Sequence, residues 1–196
     1  MPNDSSTGGA LTPSISPAPL LDEALVNFIH DWIAMITGLP AANILPRWQP
    51  EPPNLPQRGE DWAAFGIMDR DADTFAAELH KVEAGVGYDQ IRRHEELHCL
   101  ISFYGDHADS YAHLLREGMQ VAQNREVLSV NNMGLIESGK LTTVPEMVKE
   151  RWLYRVDLPF SLRRQIVRNY SVLNLQSALI SLNNEHYSVP IVPTVP

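Results

Sequence analysis

The sequence predicts a fold of the α/β (α+β) class, on three observations. In two segments, Ile91–Tyr104 and Arg151–Leu162, apolar and polar side chains alternate with period two, the mark of half-buried strands. Elsewhere Leu21, Leu25, Phe28, Trp32, Ile36 and Leu39 recur at helical spacing. Between Ile91 and Ala122 a strand, a tight turn and a second amphipathic helix follow one another without a gap.

The 196 residues and 22.0 kDa leave room for one ordinary domain with a sizeable core. We read 1–18 as a flexible N-terminal arm, 19–182 as a single α/β domain with a Pro-rich loop at 40–59, and 183–196 as an extended C-terminal arm. A composition that is 44% hydrophobic and 20% charged suits a soluble globular protein, and no apolar run approaches the roughly 18 residues of a membrane span. The start, MPNDSSTGGALTPSISPAP, lacks the basic and apolar regions of a secretory signal and reads as a polar arm. With one cysteine, Cys99, no intrachain disulfide is possible, which suits a reducing compartment. A formal charge of −9 argues against a surface that grips DNA by counterion release, yet fits a smooth acidic passage that DNA slides past.

Taken in order, residues up to Ala18 are too poor in large apolar groups to offset the entropy of ordering them alone. The first helix begins near Pro19, and Gly38 with Pro40 ends it. From Pro40 to Gly59 the prolines 46, 50, 52, 53 and 56 each lack an N–H, so we expect a long loop without helix or central strand, with Pro50 and Pro53 as candidate contacts to another subunit. Asp61–Met68 reads as a buried strand and Thr74–Val82 as a weaker one carrying Phe75, Ala77 and Leu79 on one face. Asp69, Asp71 and Asp73 between them read as a polar turn, because the Gly and Glu of a calcium loop are missing from their required positions. Gly85 and Gly87 mark the next turn and lack the Lys-Ser/Thr ending of a phosphate loop.

After the strand ending at Tyr104, Gly105 turns the chain, Asp106 is the expected N-cap, and Tyr111, Leu114, Leu115, Met119 and Ala122 form the helix stripe. A short helix over Asn124–Val130 and a hairpin about Ser138-Gly139 follow. In RWLYRVDLPFSL, residues Trp152, Tyr154, Val156, Leu158, Phe160 and Leu162 share one face, so a one-residue slip would expose side chains worth roughly 1.5–3 kcal/mol each. Pro159 implies an edge or a bulge there, and Arg155, Asp157 and Pro159 are candidate interface residues on the other face. Three prolines in NNEHYSVPIVPTVP are expected to prevent regular structure at the C-terminus.

One stretch offers catalytic chemistry. HEELH fits the pattern in which His94 and His98 bind zinc and Glu95 is the general base. The pattern works on a helix, where positions i and i+4 lie within about 6 Å. On a strand they are separated by about 13 Å and cannot hold one ion. The alternation through Leu97, Cys99, Ile101 and Phe103 favours the strand, so we expect no metal, no cofactor and no enzyme, with a small zinc-dependent hydrolase as the alternative. Cys99 falls on the apolar side and reads as a buried small hydrophobe, and His107 and His113 as surface residues. No nucleophile elbow, dinucleotide fingerprint or Cys/His cluster is present.

FYGDHADSYAHLL, QNREVL and ERWLYRVDLPFSL, taken together, resemble the tail terminators, a family of phage neck proteins, over roughly residues 62–175. The resemblance is carried by Phe103, Tyr104 and Gly105 at a strand end, Ala108 and Leu114 in the helix, and Arg151-Trp152 opening a late strand. It implies a single mixed or antiparallel sheet flanked by helices, in a subunit of a hexameric ring that stops tail-tube growth. The implied partners are other copies of the chain, the tail-tube protein and the head–tail connector or adaptor, with DNA passing transiently through the lumen and no membrane. The implied location is the virion neck, assembled in the host cytoplasm. Another virion ring or head–tail adaptor of the same fold is a further alternative.

Overall fold

The computed structural model describes residues 3–14, 19–49, 56, 59–83, 86–148, 151–174, 180–184 and 187–191. Helix α1, Asp22–Thr37, starts with Asp22 and Glu23 at its positive dipole end. It stops where Gly38, at φ 70°, donates its N–H to the Ala34 carbonyl. A 3-10 turn (Ala41–Asn43) leads into β1, Ile44–Pro46, then come β2 (Trp62–Ala72), β3 (Ala77–Glu83) and β4 (Val86–Tyr104). Helices α2 (Ala108–Gly118) and α3 (Ala122–Ser129) precede β5 (Met133–Ser138), β6 (Thr142–Thr143), β7 (Glu146–Val148) and β8 (Arg151–Leu153). Strands β9 (Arg155–Ser171), β10 (Ile180–Asn184) and β11 (Tyr187–Ile191) complete the described elements.

Seven strands form one mixed sheet in the order β1-β2-β4-β9-β5, with β3 also paired to β4 and β6 to β9. The β1–β2 pair is parallel, while β2–β4, β5–β9 and β6–β9 are antiparallel. Glu95 meets Arg164 and His98 meets Ser161, so β4 and β9 also run in opposite senses. This is the α+β class, a mixed sheet with helices.

The chain divides into two compact units. The larger, Pro17–Ala77 with Arg92–Val167, holds the core. On β4 the alternate residues Leu97, Cys99, Ile101 and Phe103 are buried against Ala63 and Phe65 of β2 and Val156, Leu158, Phe160 and Leu162 of β9. The same cluster takes in Leu25, Ile29, Trp32 and Ile33 of α1, Ala108, Ala112 and Leu115 of α2, and Leu128 of α3. All three helices therefore pack on one sheet face. The Trp32 indole N–H donates to the Asn124 carbonyl at 2.8 Å, tying α1 to the start of α3.

One charged pair lies on this core face. Arg164 is 3% exposed, donates to Glu95, and also holds the Leu20 carbonyl just before α1. The guanidinium thus fixes the entry of the first helix as well as neutralising Glu95.

The smaller unit comprises Met1–Ser16, Glu78–Ile91 and Arg168–Pro196. Its described contacts join β3, the start of β4 and the end of β9. His80 lies 2.6 Å from Asp89 Oδ1 through Nδ1 and 2.8 Å from Asn174 Oδ1 through Nε2. Those two hydrogen bonds, Asp89 first, raise the His80 pKa above its ordinary value. The N-terminal segment touches β9, where the Ser14 N–H donates to the Asn169 carbonyl at 2.7 Å, and the Leu173 N–H beyond it donates to Ser5 Oγ at 2.7 Å.

Several expectations change. The 40–59 segment contains strand β1, with Ile44 buried; Pro46 is its last residue, on the edge of the sheet where a missing N–H is tolerated. Asp69 and Asp71 are not in a turn, because β2 absorbs an irregularity between Ile67 and Asp69 and continues beside His98 and Glu96. Phe75 precedes β3 and is 88% exposed instead of sharing a strand face with Leu79. Asp106 does not cap α2; the capping residue is His107, whose own side chain makes no capping bond, and Asp61 accepts its N–H at 2.9 Å. Leu114 is 49% exposed, since the helix buries Ala108, Ala112 and Leu115 instead.

The hairpin about Ser138-Gly139 does not form, because β5 and β6 both pair with β9. The Arg151–Leu162 run is broken at Tyr154, leaving Arg151–Leu153 in a small separate ladder with β7. Strand β9 is internal, not an edge, and tolerates Pro159 because that residue falls between Phe160, paired with Ser138, and Asp157, paired with Thr142. There Gly139 crosses over and donates its N–H to the Pro159 carbonyl at 2.8 Å. Residues 180–191 include the antiparallel β10–β11 pair, where Pro190 stands opposite Ser181. Each strand of a two-stranded ladder has one free edge, so proline there costs little.

Candidate functional site: the second sheet face

The three helices pack on the core face of the sheet in the larger unit, and on its second face Ser102, Tyr104 and Ser161 are buried without a described helix over them. The register of β2 on β4 sets Trp62 opposite Tyr104 on that face. Their rings stack at 4.0 Å with an interplanar angle of 8°. The Arg155 guanidinium lies 5.8 Å from the centre of the Tyr104 ring, close enough for a cation–π contact.

Arg155 is the hub of this row. Its Nε and Nη2 donate to the two Asp157 oxygens at 2.7 and 2.8 Å, and Nη1 donates to Glu146 at 3.1 Å. The Asp157 bond is the main reason the Arg155 pKa is raised. Burial raises the Tyr104 phenol above its ordinary value, and the nearby Arg155 opposes this. Arg47 extends the cluster by donating to Ser102 Oγ at 2.6 Å.

The margins of this region are apolar and exposed. At the β1 edge, Trp48 is 67% exposed and lies over Gly66, where an added Cβ would come within 2.5 Å of the ring. Met68, at the β2 irregularity, is 51% exposed. At the β9–β6 edge, β7 and β8 form a short hairpin in which Met147 stands opposite Trp152. These two are 58% and 68% exposed, and Tyr154 after them is 47% exposed. Glu146 at the base of the hairpin is held by Arg155.

The residues singled out in the sequence are distributed unevenly over these surfaces. Phe103 and Ala108 are core, Gly105 makes the turn at φ 114°, and Tyr104, also buried, stacks on Trp62 on the second sheet face. Arg155 and Asp157 bond each other and are mostly buried, so neither presents a free charge. Arg151 and Trp152 belong to the hairpin. Pro50 and Pro53 lie outside the described residues.

HEELH lies wholly within β4, so His94 and His98 are about 13 Å apart. Glu95 points to the other face and is engaged by Arg164. His98 sits 3.0 Å from Ser161 Oγ and 3.3 Å from Asp71 Oδ2, and the His94 N–H donates to Asp73. Among the described residues no three His, Cys, Asp or Glu side chains converge as a metal site would require.

Sequence reasoning missed Trp48, Met68 and Met147. The usable signal was the charged Lys149-Glu150-Arg151 set between apolar Met147-Val148 and Trp152-Leu153. Two short apolar runs separated by a brief polar stretch read as a hairpin.

No curated protein matches the chain. No helix among the described residues is long and apolar enough to cross a membrane. The profile of the phage neck terminator proteins matches residues 23–185, which takes in α1 and the Pro-rich 40–59 segment as well as the strands that carried the resemblance, and the chain belongs to that family.

Proposed function

We propose that the protein is a structural subunit of the phage neck that assembles into a hexameric ring, caps the tail tube and joins it to the head–tail connector, with DNA passing through the lumen. The observation that carries this reading is the family match over residues 23–185, because an α+β fold by itself does not specify a function. Its location would be the virion, and its partners other copies of the chain, the tube protein and the connector. The role is non-enzymatic. Glu95, the residue a zinc hydrolase would use as base, is bound to Arg164 on the core face. Exposed Trp48, Trp152 and Met147 mark surfaces that a lone subunit leaves uncovered. With a formal charge of −9, the lumen is expected to be acidic or neutral, so that DNA slides without being held.

Native mass spectrometry of the purified protein, alone and with tail tubes, tests the reading. A sixfold assembly that binds tube ends is expected. A chain that stays monomeric in both conditions, or a ring whose lumen is lined mainly by Lys and Arg, would overturn it.

A further inference from the structure

The C-terminal end of β9 has two edges of unequal fate. On one side it runs beside β4, and the Val172 N–H donates to the Gly87 carbonyl at 3.2 Å. Backbone groups of successive strand residues point to opposite edges. Asn169, Ser171 and Leu173, out of step with Val172, therefore aim their N–H and C=O groups away from β4. The described pairing of β5 with β9 ends at Arg164 and does not reach them.

The N-terminal segment meets this edge at two points. Ser14 donates to the Asn169 carbonyl through its N–H at 2.7 Å and its hydroxyl at 3.0 Å, and the Leu173 N–H donates to Ser5 Oγ at 2.7 Å. Between the two points the arm advances nine positions, Ser5 to Ser14, while β9 advances four, Asn169 to Leu173. A paired strand would advance one for one, so the arm is a loop fastened at its ends and not an added strand. Its own bonds make the loop: the Ser6 N–H donates to Asp4 Oδ1 at 2.8 Å, Asn3 Nδ2 donates to the Ala10 carbonyl at 3.3 Å, and Gly8 and Gly9 take positive φ. No hydrogen bond joins Ser171 to residues 3–14. Within 3–14 only Asp4 and Leu11 are part-buried and the rest is exposed, so little apolar burial holds the arm down.

A bare strand edge is a template for pairing with another chain, and native proteins cover such edges. A cover held by a few solvent-exposed hydrogen bonds opens at low free energy. We propose that residues 3–14 are a releasable strap, which closes the Asn169–Leu173 edge of β9 to strand addition while fastened and opens it when lifted. The cover is this chain's own arm, and the proposal does not depend on the ring reading.

The test uses the full chain. In Ser5→Ala/Ser14→Pro both fastenings are gone: Leu173 loses its acceptor, and proline at 14 has neither the N–H nor the hydroxyl that Asn169 receives. Amide exchange at Leu173 should quicken roughly tenfold. Sedimentation velocity should show species larger than the wild type forms at the same concentration. Adding Ser171→Pro should remove them, because it deletes an N–H from the middle of the opened edge and leaves the β4 side intact. Larger species that survive Ser171→Pro would arise elsewhere and overturn the proposal, as would a double variant that sediments like the wild type.

A cysteine pair checks whose arm does the covering. Ser5→Cys/Leu173→Cys should close a disulfide within one chain on oxidation, since the Leu173 N–H bond to Ser5 Oγ keeps the two Cα atoms within the reach of about 7 Å that a disulfide needs. Native Cys99 is silent here, because burial pushes its thiol up to about 12. Disulfide-linked dimers in place of the intrachain bond would mean that the arm serves another copy, and would overturn the strap.

Discussion

Replacing Glu95 with Ala should destabilise the protein without touching any catalytic chemistry. The Arg164 side chain is 4% exposed and that of Glu95 12%, so both charges are almost fully withdrawn from water. Deleting one partner leaves the other buried and unpaired, which costs about 3–5 kcal/mol. Glu95→Ala keeps the Arg164 bond to the Leu20 carbonyl, so the loss should fall toward the lower end of that range. For a chain of this size, 3 kcal/mol corresponds to a fall of roughly 10 °C in Tm. Urea unfolding followed by circular dichroism measures the loss directly. The double variant Glu95→Leu/Arg164→Met should recover most of it, because an apolar pair of similar volume carries no desolvation cost. A Glu95→Ala loss under about 1 kcal/mol, or a double variant no more stable than the single one, would refute the assignment of Glu95 to a buried pair.

Two further outcomes follow from local geometry. The His80 pKa is raised in the folded state by Asp89 and Asn174, so its contribution is fully present below the unfolded value near 6.5 and is lost as pH rises through the higher folded value. Amide exchange of β3 and the start of β4 should therefore quicken across that window, after correction for intrinsic rates, and His80→Ala should abolish the step; an identical step in the variant would refute the link. Gly105→Ala should cost about 1–3 kcal/mol or more in thermal unfolding, because φ is 114° and a Cβ would lie 2.3 Å from Asp61 Oδ1, the carboxylate that receives the His107 N–H; unchanged Tm would show that the turn adapts.

Much of the fold was legible in the sequence because it rests on short-range periodicity. The alternation through Leu97, Cys99, Ile101 and Phe103 placed that strand and its buried face, and with them the separation of His94 from His98. Helix α1 was legible from its stripe and from Gly38-Pro40. What escaped depended on contacts between distant residues. Pro159 suggested an edge because the sequence does not reveal that Gly139 crosses there, between two short ladders. Trp152 and Tyr154 continue the parity of Val156 and Leu158, yet the chain breaks at Tyr154 and turns them outward. The hub at Arg155 was visible only as a polar position on a strand, since Tyr104 and Glu146 reach it through pairing.

The pairing of β4 with β9 has a consequence for how the chain reaches its native state. Contacts between β2 and β4, such as Asp71 with His98, join residues 27 positions apart. Those between β4 and β9 join residues 63 and 69 apart. The nearer closure costs less entropy and comes first. Until β9 arrives, the inner side of β4 is an unpaired edge flanked by uncovered Leu97, Ile101 and Phe103. In a cell making many copies at once, that interval is when a nascent subunit is most exposed to mispairing with its neighbours. The arrival of β9 closes this edge and carries in the Arg155 that anchors the β7–β8 hairpin. Closing the β4 edge and fixing the β7–β8 hairpin, through the Arg155 bonds to Glu146 and Asp157, are therefore one event.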